Sequence, residues 1–274
     1  MKTLWIWGII VACGASLCIA HMQASERTAL DRVSRVVLKK KSGDEPKKQP
    51  EEKKTRRKKK KEGKASDDST WTTYFAVDKD DLVSTGRNPY FILEPGYVLI
   101  LESGDERLVI TVTNETKKVD GVETRMVEER ETKNDKLIEV SRNYFAISKK
   151  TNCVFYFGEE VDNYKNGKIV DHKGSWLSGE KGARFGLMMP GLPLVGARYY
   201  QEQAPSSAMD RAEILSVTES YKTPAGEFKN CLKIEESTPL EPGNKEYKHY
   251  APGVGLIQDG NMKLVKYGKL LEKK

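Results

Sequence analysis

The sequence predicts a mainly all-β protein: a single curved antiparallel meander sheet or half-barrel of about eleven strands, preceded by a signal or anchor helix and a disordered basic linker. Three observations carry this. From Trp71 onward, short runs of apolar/polar alternation are separated by the turn strings "ESGDER", "KKVDGV", "TKNDKL" and "YKNGKI", at the spacing of an antiparallel meander. No strong helical period interrupts them. Between Lys39 and Lys64 no apolar residue occurs, so that stretch has nothing from which to build a core.

In chain order, residues 1–20, "MKTLWIWGIIVACGASLCIA", place one lysine before an almost unbroken apolar run, the pattern of a secretory signal. Three processings fit: cleavage after Ala20, lipid attachment at Cys13 behind Ile10-Val11-Ala12, or an uncleaved single anchor at the lower edge of a membrane span. Arg27, Arg32, Arg35 and Lys39 follow the run, opposite to the usual positive-inside bias. Residues 21–38 carry Ala29, Leu30, Val33, Val36 and Val37 on one stripe and read as a short amphipathic helix. Residues 39–70 form the Lys-rich linker, a spacer whose tract 39–64 holds 14 basic against 5 acidic side chains. Contact with an anionic membrane or an envelope polymer is the second reading of that tract. From residue 65 the chain is net −4, so the basic pI belongs to the tract and gives no ground for a nucleic-acid-binding domain.

Residues 71–274 are enough for one antiparallel β domain. Its strands alternate. Leu108, Ile110 and Val112 share one face of "RLVITVT"; in "EFKNCLKIEE", Phe228, Leu232 and Ile234 oppose Lys229, Cys231 and Lys233. A sheet that is apolar on one side and charged on the other must curl over something.

The stretch "LMMPGLPLVGARYYQEQAP", Leu187 to Pro205, breaks this rhythm. Pro190, Gly191, Pro193 and Gly196 exclude a regular helix or central strand over about 187–196. Leu187, Met188, Met189, Leu192 and Leu194, with Trp176 and Phe185 nearby, are the candidates to plug the concave face or line a ligand cavity there. Three readings stand: a plug sealing the core, a lid over a lipid-like ligand, or a loop that touches a membrane. The charged residues that follow, Arg198, Glu202, Asp210, Arg211 and Glu213, read as an ion network that fixes a crossing of the chain.

Signals for catalysis are sparse. His172 and His249 are the histidines of the body, and neither stands in a catalytic or metal spacing. Carboxylate pairs drawn from Glu159, Glu160, Glu202, Asp210 or Glu213 arise by chance in a chain with 40 acidic residues. No phosphate loop, nucleophile elbow or cofactor motif is present, so no cofactor and no enzymatic activity are expected, an envelope hydrolase standing as a distant third reading. Cys153 and Cys231 either pair as a disulfide or are two buried thiols.

The strings "SRNYFAI", "YFGEEVDNYKNGK", "GLMMPGLPLVGARYYQEQAP", "MDRAEI", "TPAGEFKNCLKIEESTPLEP" and "KEYKHYAPGVGLIQDG" resemble an uncharacterised family of bacterial secreted β-rich proteins. The likeness runs from about Asn88 to Gly268, and "YAPGVGLIQ" is distantly similar to lipoprotein-carrier half-barrels. Where that family carries Gly-Val this chain has Ser206-Ser207, and Phe185 stands in place of a Pro. The resemblance implies a secreted or periplasmic location and no catalytic residue. Two functions follow as expectations: a non-catalytic envelope binding or carrier module with an apolar ligand on its concave face, or an interaction protein with a sealed core.

Overall fold

The computed structural model describes residues 70–269. The expected signal, amphipathic helix and all but the last residue of the basic linker lie outside the described residues. No helix of the described residues is long and apolar enough to cross a membrane.

Eighteen strands follow a 3-10 turn at Lys79–Asp81. They are β1 (Leu82–Val83), β2 (Gly86–Asn88), β3 (Phe91–Leu93), β4 (Tyr97–Ser103), β5 (Glu106–Val119), β6 (Val122–Lys133), β7 (Lys136–Ser148), β8 (Val154–Lys165) and β9 (Lys168–Asp171). The second half holds β10 (Trp176–Leu177), β11 (Arg184–Met189), β12 (Arg198–Tyr200), β13 (Glu202–Gln203), β14 (Arg211–Thr223), β15 (Gly226–Ser237), β16 (Glu246–Ala251), β17 (Gly255–Asp259) and β18 (Met262–Lys269). Eleven of them have five residues or more, and ten of these fall where alternation predicts a strand. The eleventh, β11, corrects the expectation for 187–196, since Leu187 and Met189 pair with β8 and only from Pro190 onward is the ladder broken. The other seven are two to four residues long, too short to carry a period.

The turns form where their residues allow them. Asp120-Gly121, Asn134-Asp135 and Asn166-Gly167 all have positive φ at both positions, which is the two-residue turn that matches strand twist. They join β5 to β6, β6 to β7 and β8 to β9. Strands β4–β8 make one meander and β14–β18 a second, and β18 pairs antiparallel with β4, with Leu264 opposite Leu101.

The sheet goes further than a half-barrel. Its path runs β12-β14-β15-β16-β17-β18-β4-β5-β6-β7-β8-β11-β13, and the two end strands are separated in the chain by Gln201 alone. One chain crossing therefore joins both edges, and the sheet is nearly closed. Closure removes open edges, which an open half-barrel would leave exposed.

The interior is one apolar cluster that includes Leu101, Leu108, Tyr156, Ile234, Ile257 and Leu264. The expectation of a charged convex face fails over β6–β8. There a second cluster, with Met126, Tyr144, Phe155 and Phe157, lies on the outer side and is covered by Leu82, Phe75 and Val77 of the incoming chain. Strand β8 is consequently buried on both faces from Val154 to Glu159.

Candidate functional site

The seam is built first by a glycine. A Cβ on Gly186 would lie 2.5 Å from the carbonyl oxygens of Tyr200 and Gln201, so only glycine lets β11 pass that close under the crossing. Phe185 pairs in register with Glu202 and Arg184 with Gln203. On the other edge, Tyr199 opposes Ala212. Glu202 is fully buried, and its Oε1 accepts the backbone N–H of Asp210 at 2.9 Å, while the Gln201 N–H donates to the Asp210 carbonyl at 2.8 Å.

The five charged residues expected to fix the crossing do lie around it. Arg198 pairs with Glu213 at 2.8 Å, and the guanidinium of Arg211 lies 4.4 Å from the Trp71 ring centroid, with that of Arg198 at 5.4 Å. Thr72 lies against β12, donating to Arg198 O at 2.9 Å and accepting from Tyr200 N at 3.0 Å. The start of the domain is thus stitched to its closing strand.

The lumen is filled. The space left in it is a partly open pocket of 60 Å³. Met188 and Phe145 line it beside Lys248, Glu129 and Asp259. Lys248 Nζ lies 2.9 Å from Glu236 and 3.4 Å from Asp259, and Gln201 Nε2 donates to Glu236 at 2.8 Å. Burial pulls the Lys248 ammonium down, but Asp259 and Glu236 hold it well above its ordinary pKa. The carboxylates around it outnumber it. Burial first, then Glu129 and Asp259, push Glu131 up to about 7, although part of its surface stays open at the rim.

A second hollow, of 230 Å³, opens between β8, β10 and the 204–207 link. Glu159, Glu160, Glu180 and Lys181 line its polar side and Trp176 its base, so it does not match an acyl chain. Trp176 is buried against Tyr156, with ring centroids 5.2 Å apart.

The seven residues expected to plug or line one cavity are dispersed. Met188 and Met189 are buried in the interior cluster with Trp176. Phe185 turns outward and stacks on Phe157 at 4.7 Å, and Leu187 is half-buried. Leu192 and Leu194 plug nothing: they are 78% and 63% exposed, and Val195 is 63% exposed. The cause is local. Met189 ends β11, and Pro190 and Pro193 prevent the chain from re-entering the sheet.

Cys153 and Cys231 are both free thiols. Cys153 Sγ accepts the Gly191 N–H at 3.3 Å. Cys231 does not share the wet face with Lys229: Asn230 takes φ +54 at a register shift, and the cysteine turns into the core. His172 is exposed, with Nδ1 2.9 Å from Asp162 Oδ1 and 2.8 Å from Val161 O. His249 stacks on Tyr221 at 4.5 Å, and burial lowers its pKa. Alternation with Lys248 turns it away from the lumen. The histidines and the acidic cluster do not converge. Among the described residues no group of three or more His, Cys, Asp or Glu is placed to hold a metal ion.

No family model and no curated protein matches the chain. Among solved structures, a protein of Parabacteroides distasonis ATCC 8503 provisionally described as a lipoprotein is 13% identical, with a TM-score of 0.30, over 64% of this chain and 95% of its own.

Proposed function

We propose that this protein is a non-catalytic interaction module of the bacterial cell envelope, held there by its N-terminal segment and closed around a core of its own side chains. The observation that carries the reading is the lumen volume. Sites for drug-sized ligands run to about 300–1,000 Å³, several times the 60 Å³ left between Met188, Phe145 and Lys248. A lipid-like cargo on the concave face, the carrier reading, would have to displace those side chains and bury its chain beside Glu129, Asp259 and Lys248. The apolar surface that a carrier would hide is instead presented on the outside, at Leu192, Leu194 and Val195.

Native mass spectrometry of the purified full chain tests this. The expected spectrum shows the polypeptide with its covalent processing and no bound lipid in the lumen. A one-to-one non-covalent lipid that disappears in Met188→Trp, where the larger side chain fills the lumen, would restore the carrier reading.

A further inference from the structure

Loop 190–196 is an ordered, solvent-facing apolar tip. It is fixed from both sides: Asn88 Nδ2 donates to Pro190 O at 2.9 Å, Gly191 N–H reaches Cys153 Sγ, Ala197 N–H closes on Leu194 O at 3.0 Å, and Gly196 N–H donates to Ile214 O at 2.8 Å. Gly191 also packs tightly, since a Cβ there would lie 1.8 Å from Thr151 O. Three large aliphatic side chains within four residues are thus held in water by a framework that could have turned them inward. From Leu187 to Ala197 the chain carries no charge.

We infer that this loop is a membrane-docking element: Leu192, Leu194 and Val195 insert into the headgroup–acyl boundary of an anionic bilayer, the surface to which the chain's own basic tract directs the domain. This deepens the reading of the protein as an envelope interaction module and rests on it.

Two features select a bilayer over a protein partner. The first is connectivity. The described chain begins at Thr70, whose Oγ1 is reached by Arg198 Nη1 at 3.4 Å, and Thr72 is bonded to β12 directly after the loop. The tract 39–64, with 14 basic and 5 acidic residues, ends six residues before Thr70 in the sequence. Thr70, the first described residue, thus lies beside the strand that follows the apolar loop, and the basic tract precedes it by six residues in the sequence. Paired polybasic and apolar signals are what stable peripheral binding requires, since one alone is marginal.

The second is local charge. The neighbouring β7–β8 turn offers Lys149 and Lys150, and the 3-10 turn with its N-cap offers Asp78, Lys79, Asp80 and Asp81. Lys150 pairs with Asp78 at 3.2 Å, and Lys149 reaches the Asp80 carbonyl at 3.4 Å. Lys150 and Asp78 offset one another there, so that ion pair beside the loop presents no net charge to an anionic surface. The loop supplies insertion and the tract supplies attraction.

The test places a tryptophan at the tip. Full-length Leu194→Trp is reconstituted in vesicles of phosphatidylcholine and phosphatidylglycerol at about 7:3, with and without brominated acyl chains. Ile169→Trp, on the exposed β8–β9 hairpin, is the control. The expected result is at least twofold quenching of the extra emission from Leu194→Trp and none from Ile169→Trp, with deletion of 39–64 making the tip quenching sensitive to vesicle charge no longer. Equal emission from both variants, quenched or not, overturns the inference. So does a concentration-dependent dimer that is lost in Leu194→Asn, which would assign the tip to a second copy. Neither result touches the sealed-core reading, which falls only if a lumenal lipid is found.

Discussion

Lys248 Nζ and a Glu236 carboxylate oxygen meet at 2.9 Å inside the barrel, with both side chains about nine-tenths buried. Lys248 sits opposite Asp259 on β17 and Ile234 on β15, so one ammonium serves two acidic strands. Replacing a single member of such a buried group leaves the others uncompensated. Lys248→Met is expected to lower stability by about 3–5 kcal/mol. Urea unfolding measures this, and the triple change Lys248→Met, Glu236→Gln, Asp259→Asn is expected to recover most of the loss.

Glu131 gives the domain a pH dependence with a definite sign. Its pKa is about 7 in the fold, with burial the first cause and Glu129 and Asp259 next, against an ordinary value of 4.5. Between those values the folded state holds the extra proton, so stability is fully present below about 4.5 and falls as pH rises through 7. At about 1.4 kcal/mol per unit the loss reaches about 3 kcal/mol at most, reduced by the water that screens its open side. Thermal melts from pH 5 to pH 8 should show a falling midpoint. Glu131→Gln should flatten that slope and be the more stable protein at pH 8.

The seam depends on Gly186. A methyl group there meets the backbone of Tyr200 and Gln201 at 2.5 Å, and neither partner is a flexible side chain. Gly186→Ala is expected to cost about 1–3 kcal/mol through overpacking. It should also speed amide exchange at Gln201 and Glu202 before the rest of the sheet, which hydrogen-exchange mass spectrometry resolves. A uniform increase across all strands would mean that the crossing is not a separate closing element.

Much of the architecture is legible in local sequence, because alternation and turn chemistry are local. "KNG" and "VDG" specify tight turns, and ten of the eleven long strands follow from such turns and from alternation, β11 being the exception. Closure is not legible. It depends on pairing Leu264 with Leu101, far apart in the chain, and Phe185 with Glu202 across an irregular loop, contacts that no period announces. The face of Cys231 is misread because one left-handed residue, Asn230, shifts the register by a step that alternation cannot anticipate. The loop is misread for a different reason. Leu192 and Leu194 are apolar, and the hydrophobic effect favours covering them, but Pro190 and Pro193 keep them outside the ladder. Proline chemistry was visible there; the direction in which the loop leaves the sheet was not.

The protein's own side chains occupy the lumen, and Met188 is their most direct witness. Its side chain lines the 60 Å³ cavity, whereas Met126 belongs to the outer cluster. In the full chain labelled with ¹³C at its methionine methyl groups, titration with palmitate is expected to leave the Met188 resonance where it stands. A saturable shift of Met188, with Met126 unmoved, would show a ligand entering the barrel and would contradict the account.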